Sequence, residues 1–137
     1  MAADHETLLT VFKDHTGLVN TLWGIFQAIT LGFLSYVYTQ AEVRRSVGVL
    51  LGLSLLFAVF AYGNRASILR SQAVLYAVHQ QFHDDAFAKN APPGVVPVLR
   101  AHVARSVDET GRGHLATTAA VIIAAWLPFL VALRRTH

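Results

Sequence analysis

The sequence contains no cysteine, and this absence removes several kinds of chemistry. A chain without a thiol forms no disulfide, carries no thiolate nucleophile, and holds no zinc ion or iron–sulfur cluster through cysteine. The redox state of its compartment stays open, because no cysteine has to be kept reduced or oxidised.

Charged residues are also scarce. They make up 14% of the 137 residues, whereas a soluble domain has roughly 25%. Hydrophobic residues account for 54%, the mean hydropathy is +0.46, and the apolar residues are gathered into blocks. Blocks of this kind are typical of integral membrane proteins.

The N-terminal stretch MAADHETLLTVFKDH lacks the positive charge that a signal peptide needs. We therefore expect this stretch to be retained in the working protein. Leu8, Val11 and Phe12 within it predict a short helix that lies on the membrane interface.

Three apolar blocks are long enough to cross a bilayer, at about residues 17–38, 46–63 and 115–133. Each is near the roughly 20 residues that the hydrocarbon core requires. Because a spanning segment must satisfy its own backbone hydrogen bonds, each block should be a helix. The predicted fold is all-α: one domain over 1–137, polytopic, with three transmembrane helices.

The large polar segment lies between the second and third blocks, at 64–114. Ile68, Leu75 and Phe82 recur every seven residues there, which predicts an amphipathic helical insertion. A shorter helix is predicted after the paired prolines. Two glycines, Gly111 and Gly113, are expected to break the helix just before the third span.

The basic residues mostly flank the apolar blocks, and the formal net charge is +3. The pairs at the span ends are expected to contact lipid phosphates; they are Arg44, Arg45, Arg134 and Arg135. No basic run is interleaved with aromatic residues, so nucleic-acid binding is not expected.

Counting Lys and Arg near the spans favours a cytoplasmic N-terminus in a cytoplasmic (inner) membrane, with seven basic residues inside and four outside. The reverse orientation, which puts both Arg pairs inside, is the alternative.

The polar residues of the first span fall on one helical face, within about 80° of one another. They are Asn20, Gly24, Gln27, Ser35 and Tyr38. Three interpretations follow: packing against neighbouring spans, lining of a water-filled path, or contact with a ligand. A lining role requires oligomerisation, because three spans of one chain cannot enclose a pore.

The second span contains a GxxxG pair, Gly48 and Gly52. Two glycines one turn apart let another helix approach closely. The pair indicates either packing inside the hairpin of the first two spans or association with another chain.

The segment HQQFHDD offers the one candidate metal site. His79 and His83 share a helix face, and Asp84 is a candidate third ligand. The general-base glutamate of zinc proteases is replaced by Gln80, so the resemblance to HExxH is incomplete. A solvated face is the default interpretation, and a pH-responsive role is an alternative, since His102 and His114 lie in the same segment.

These patterns favour a self-associating membrane protein of the pore, channel or effector type, whose partners are the lipid bilayer and copies of itself. A non-catalytic accessory or scaffold subunit bound to another membrane protein is the alternative. A metal-binding membrane enzyme that uses His79 and His83 is a third. No catalytic residue and no cofactor are predicted, apart from that metal.

Overall fold

The computed structural model describes residues 5–83 and 105–134, with isolated positions 89, 94, 96 and 97 between them. Its helices are α1 (His5–Thr39), α2 (Ala41–Arg45), α3 (Val47–His83) and α4 (Val107–Arg134). With a rise of about 1.5 Å per residue, the long helices α1, α3 and α4 measure about 52, 56 and 42 Å.

Three helices are long and apolar enough to cross a membrane, namely α1, α3 and α4. Much of their apolar surface points away from the rest of the chain, and Leu56 is 69% and Val59 64% exposed. Soluble proteins seldom expose so much contiguous apolar surface. The all-α class with three candidate spans is therefore confirmed.

The three long helices alternate in direction. Leu8 near the start of α1 packs against Phe82 near the end of α3, while Val37 near the end of α1 clusters with Leu50 near the start of α3. Helix α4 runs back along α3, with the Trp126 Nε1–H donating to Ser54 Oγ at 3.1 Å. The first two spans are thus the expected antiparallel hairpin, and α4 lies parallel to α1.

One continuous stripe of buried residues runs along α3, at alternating steps of three and four. Its members are Leu50, Ser54, Phe57, Ala61, Asn64, Ile68, Ser71, Leu75, Val78 and Phe82. A spacing of 3.5 residues is the packing pattern of supercoiled helices. The every-seven pattern seen in the sequence is the second half of this stripe.

The middle of the core is aromatic. Phe26 on α1 packs against the rings of both Phe57 and Phe60 on α3, with ring centroids 6.1 and 6.4 Å away. Phe33 stacks on Phe57 at 4.8 Å with an 8° angle between the rings. These rings fill the space between α1 and α3, and Val121 of α4 packs against them.

A separate amphipathic helix between the second and third spans is not confirmed. Residues 64–83 continue α3 without a break, and residues 107–114 already belong to α4. The shorter helix predicted after the prolines lies mostly outside the described residues.

Two smaller predictions are wrong. The N-terminal residues do not form a separate interfacial helix, because Leu8 belongs to α1 and packs on Val78 and Phe82 beyond the apolar part of α3. Gly111 and Gly113 do not break a helix, since both lie inside α4. In both cases the helix begins well before its apolar block, α1 at His5 and α4 at Val107, because the helical backbone hydrogen bonds extend into the polar residues.

Candidate functional site

The predicted polar face of α1 lies on the outside of the three-helix unit. Its five residues are all exposed; they are Asn20, Gly24, Gln27, Ser35 and Tyr38. The residues that α1 turns to the core, such as Phe26 and Val37, are on another side of the helix.

The structure divides this face between two surroundings. The Tyr38 hydroxyl donates to the Ala124 carbonyl of α4 at 3.0 Å, and Asn20 lines a cleft that α1 shares with α4. Gln27 lies between these two levels, and within the described residues its carboxamide has no hydrogen-bond partner. Within the described residues, Gln27 is thus an exposed and unbonded polar group near the middle of residues 17–38.

The two glycines of the GxxxG pair do not serve the hairpin. Gly48 and Gly52 are exposed, and a Cβ built on either one meets nothing within 4 Å among the described residues. The packing of α3 against α1 therefore does not depend on them, and they form a flat strip on the outer side of α3.

A buried polar pair joins α3 to α4 where the apolar parts of the helices end. Asn64 is 7% and His114 1% exposed, and Asn64 Nδ2 lies 3.3 Å from His114 Nε2. The imidazole also packs against two rings of α1, with centroids 4.3 Å from Phe26 and 5.3 Å from Trp23. One side chain thus connects all three long helices.

The hydrogen bonds around His114 are consistent with a neutral imidazole. The Asn64 amide donates to Nε2, so this nitrogen is an acceptor. Thr118 Oγ1 lies 3.4 Å from Nδ1 and donates its own proton to the His114 carbonyl at 2.9 Å, so Nδ1–H is the donor in that contact. His114, which the sequence analysis grouped with His79, His83 and His102 for a pH-responsive role, is therefore a core residue. His102 lies outside the described residues.

Two further hydrogen bonds hold the start of α4 against α3. Arg65 Nε–H donates to the Gly111 carbonyl at 3.3 Å, and Gln72 Nε2–H to the Arg105 carbonyl at 2.8 Å. A capping box closes the helix end, because Ser106 and Glu109 exchange backbone-to-side-chain hydrogen bonds of 3.3 and 3.2 Å.

A cleft of about 430 Å³ opens beside these contacts, between α1, α3 and α4. We call it the headgroup-level cleft because it lies where the predicted spans end. Its lining residues are Thr16, Val19, Asn20, Trp23, Gln72, Leu75, Arg105, Glu109, Thr110, Gly113 and Thr117. Thr110 is only 8% exposed, and its hydroxyl has no hydrogen-bond partner among the described residues.

A second cleft, of about 600 Å³, lies at the other end of the bundle. Tyr38, Arg44 and Pro128 are among its lining residues. Arg45 and Arg134 are exposed, and Arg135 lies outside the described residues. Three of the four predicted interface arginines therefore stand at one end of the helices.

The predicted metal ligands are only partly described. His79 and His83 lie one turn apart on α3, with ring centroids 4.6 Å from each other. Asp84 lies outside the described residues. Within the described ranges no group of three or more metal-ligating side chains is found, so two imidazoles are what remains of this candidate site.

Sequence reasoning missed the Asn64–His114 pair and the headgroup-level cleft. The sequence did contain one indication of the pair. Leu50, Phe57 and Asn64 are spaced seven residues apart, which places Asn64 on the same side of the helix as two apolar residues. A lone asparagine in an apolar stripe commonly marks a specific partner. Nothing local in the sequence pointed to His114 as that partner.

The chain matches no protein-family model, no curated protein and no solved structure.

Proposed function

We propose that the protein is a small self-associating membrane protein of the pore, channel or effector type, in which copies meet through the polar face of α1. The main support for this proposal is the position of Gln27. It lies at the centre of residues 17–38, it is exposed, and its carboxamide has no partner within the described residues.

An unpartnered amide in hydrocarbon is unfavourable by about 2–7 kcal/mol. Symmetric copies in one membrane carry Gln27 at the same depth, and a carboxamide both donates and accepts. Gln27 side chains of neighbouring copies can therefore bond to one another, at about 0.6–2 kcal/mol per hydrogen bond between spans.

Any conducting path in this proposal runs between copies. Within the described residues the three helices close on a core filled by Phe26, Phe57 and His114, which leaves no room for a pore inside one chain. Gly24 and Ser35 share the exposed face with Gln27 and extend the contact along α1.

The outer strip of α3 provides a second contact surface. Gly48 and Gly52 leave space for a neighbouring helix to approach. Two different surfaces on one chain allow assemblies larger than a dimer.

The remaining parts of the proposal follow the charge pattern. The N-terminus is cytoplasmic in an inner membrane, and the arginines at the far end contact lipid phosphates.

The test is the oligomeric state in lipid nanodiscs, measured by mass photometry or native mass spectrometry. Gln27→Leu removes the amide and keeps an apolar span, so we expect it to shift the wild-type assembly toward monomer. Gln80→Leu is the matched control, because Gln80 is an exposed glutamine on the far end of α3. A defined multimer that depends on Gln27 but not on Gln80 supports the proposal.

A wild-type monomer would overturn self-association and favour the accessory-subunit function. The same face would then dock on a different membrane protein, and Gln27→Leu would release that partner in a pull-down. Metal analysis of the purified protein tests the enzyme alternative, since metal-free protein excludes a His79–His83 site.

A further inference from the structure

The headgroup-level cleft crosses the boundary between membrane and water. Asn20 and Thr117 belong to the first turn of the predicted first and third spans. Gln72 lies nine residues beyond the last residue of the second predicted span, about 13 Å along the helix. The volume of about 430 Å³ is within the roughly 300–1,000 Å³ of small-molecule sites.

The lining of this cleft carries one charge of each sign. Arg105, which carries a guanidinium, and Glu109, which carries a carboxylate, are among its lining residues. A guanidinium is the preferred side chain for phosphate. A cation is favoured by a carboxylate such as that of Glu109 and by an indole such as that of Trp23. The Trp23 ring packs edge-on against Phe26, with centroids 5.8 Å apart. The cleft is therefore complementary to a zwitterion rather than to an anion alone.

Two buried polar side chains in the cleft are not fully bonded. The Thr110 hydroxyl has no partner within the described residues, although the residue is 8% exposed. Gln72 is buried to the same extent, and its Nε2 is committed to the Arg105 carbonyl, which leaves Oε1 as an acceptor. Buried polar groups without partners are uncommon in native proteins and usually indicate a missing partner.

We propose that the headgroup-level cleft binds a phospholipid headgroup that contains a phosphate and a primary ammonium, as in phosphatidylethanolamine. The phosphate is bound by Arg105 and the Thr110 hydroxyl. The ammonium donates to Glu109 and to Gln72 Oε1 and lies near the indole of Trp23.

A lipid fits the site better than a soluble zwitterion because Val19, Asn20 and Thr117, at the first turns of the predicted spans of α1 and α4, line the cleft, so that its ligand lies next to the acyl region. The headgroup chemistry also predicts selectivity. A trimethylated ammonium has no N–H to donate to Glu109, and a glycerol headgroup has no positive charge. The proposal holds for a monomer and for an oligomer, so its failure does not affect self-association.

Native mass spectrometry of the full chain tests the site, with phosphatidylethanolamine, phosphatidylcholine and phosphatidylglycerol of identical acyl chains offered one at a time. We expect the ethanolamine lipid to be retained about tenfold better than the other two, the effect of one charge-assisted hydrogen bond. Equal retention of the three lipids would overturn the proposal.

Two variants separate binding from folding. Glu109→Gln removes the charge but keeps the capping box with Ser106, since glutamine also serves there. It should abolish the preference for the ethanolamine lipid, whereas the matched change Glu42→Gln, at an exposed site on α2, should preserve it. Thr110→Val should weaken lipid retention without lowering the thermal midpoint. Retention by Glu109→Gln equal to that of Glu42→Gln contradicts the assignment.

The source of the ligand is tested by competition with glycerophosphoethanolamine, which carries the headgroup without acyl chains. We expect no displacement of the lipid at equal concentration. Displacement there would make the ligand a soluble zwitterion and overturn the lipid proposal.

Discussion

At the scale of single residues, the Asn64–His114 pair is the point where the three long helices meet. Its hydrogen bond is 3.3 Å long, and both side chains are buried. A buried donor or acceptor that loses its partner is unfavourable by about 1–3 kcal/mol. The pair therefore fixes the position of α4 along α3.

We predict that Asn64→Ala lowers the free energy of unfolding by about 1–3 kcal/mol, because His114 Nε2 loses its donor in a buried site. Thermal or denaturant unfolding in detergent measures this change. Gln81→Ala is the matched control at an exposed carboxamide of α3, and an equal loss in both variants would contradict the role given to the pair.

From the sequence alone, the polar residues of the first span could be placed on one helical face, because an α-helix turns by about 100° per residue. The sequence did not predict the partner of Asn64. That contact joins positions 50 residues apart, and only the packing of α3 on α4 brings them together.

At the scale of elements, the stripe on α3 explains why this helix is longer than its apolar block. Hydropathy falls at Asn64, and the second span was predicted to end at residue 63. The stripe itself continues through Ile68 and Leu75 to Phe82, where Leu8 of α1 covers it. Apolar block lengths thus predicted the number of long helices correctly and their ends incorrectly.

Substitution of two adjacent leucines tests which side of α3 faces the core. Leu50 is fully buried and Leu51 is 54% exposed. We predict that Leu50→Ala destabilises the fold, by less than the about 2–5 kcal/mol of buried leucines in water, since lipid replaces water as the reference. Leu51→Ala should change the unfolding midpoint little, and the opposite order would contradict the packing described.

Two glycines of α4 should respond differently to substitution. A Cβ at Gly111 would lie 3.0 Å from Arg65 Nη2 and 3.5 Å from Leu69, whereas one at Gly113 meets nothing within 4 Å. Gly113→Ala should therefore gain up to about 1 kcal/mol of helix propensity. Gly111→Ala should gain less, because Arg65 must move away from the Gly111 carbonyl; the thermal midpoints of both variants check this order.

At the scale of the whole molecule, the chain is a three-helix unit that buries little of its apolar surface and leaves a glutamine exposed at mid-span. In the proposed function, the membrane covers the apolar part, and the polar face of α1 meets a second copy, which presents the same groups at the same depth. Self-association through α1 is thus the central claim.

Cross-linking in native membranes tests this claim most directly, because the chain has no cysteine of its own. Gly24→Cys lies on the polar face and leaves Gln27 intact, and Ile123→Cys lies on the exposed side of α4, on neither of the two proposed contact surfaces. A disulfide requires Cα atoms within about 4.4–6.8 Å. We predict that mild oxidation converts Gly24→Cys into a covalent dimer and leaves Ile123→Cys monomeric. Equal cross-linking of the two variants, or none at Gly24→Cys, would contradict association through this face of α1.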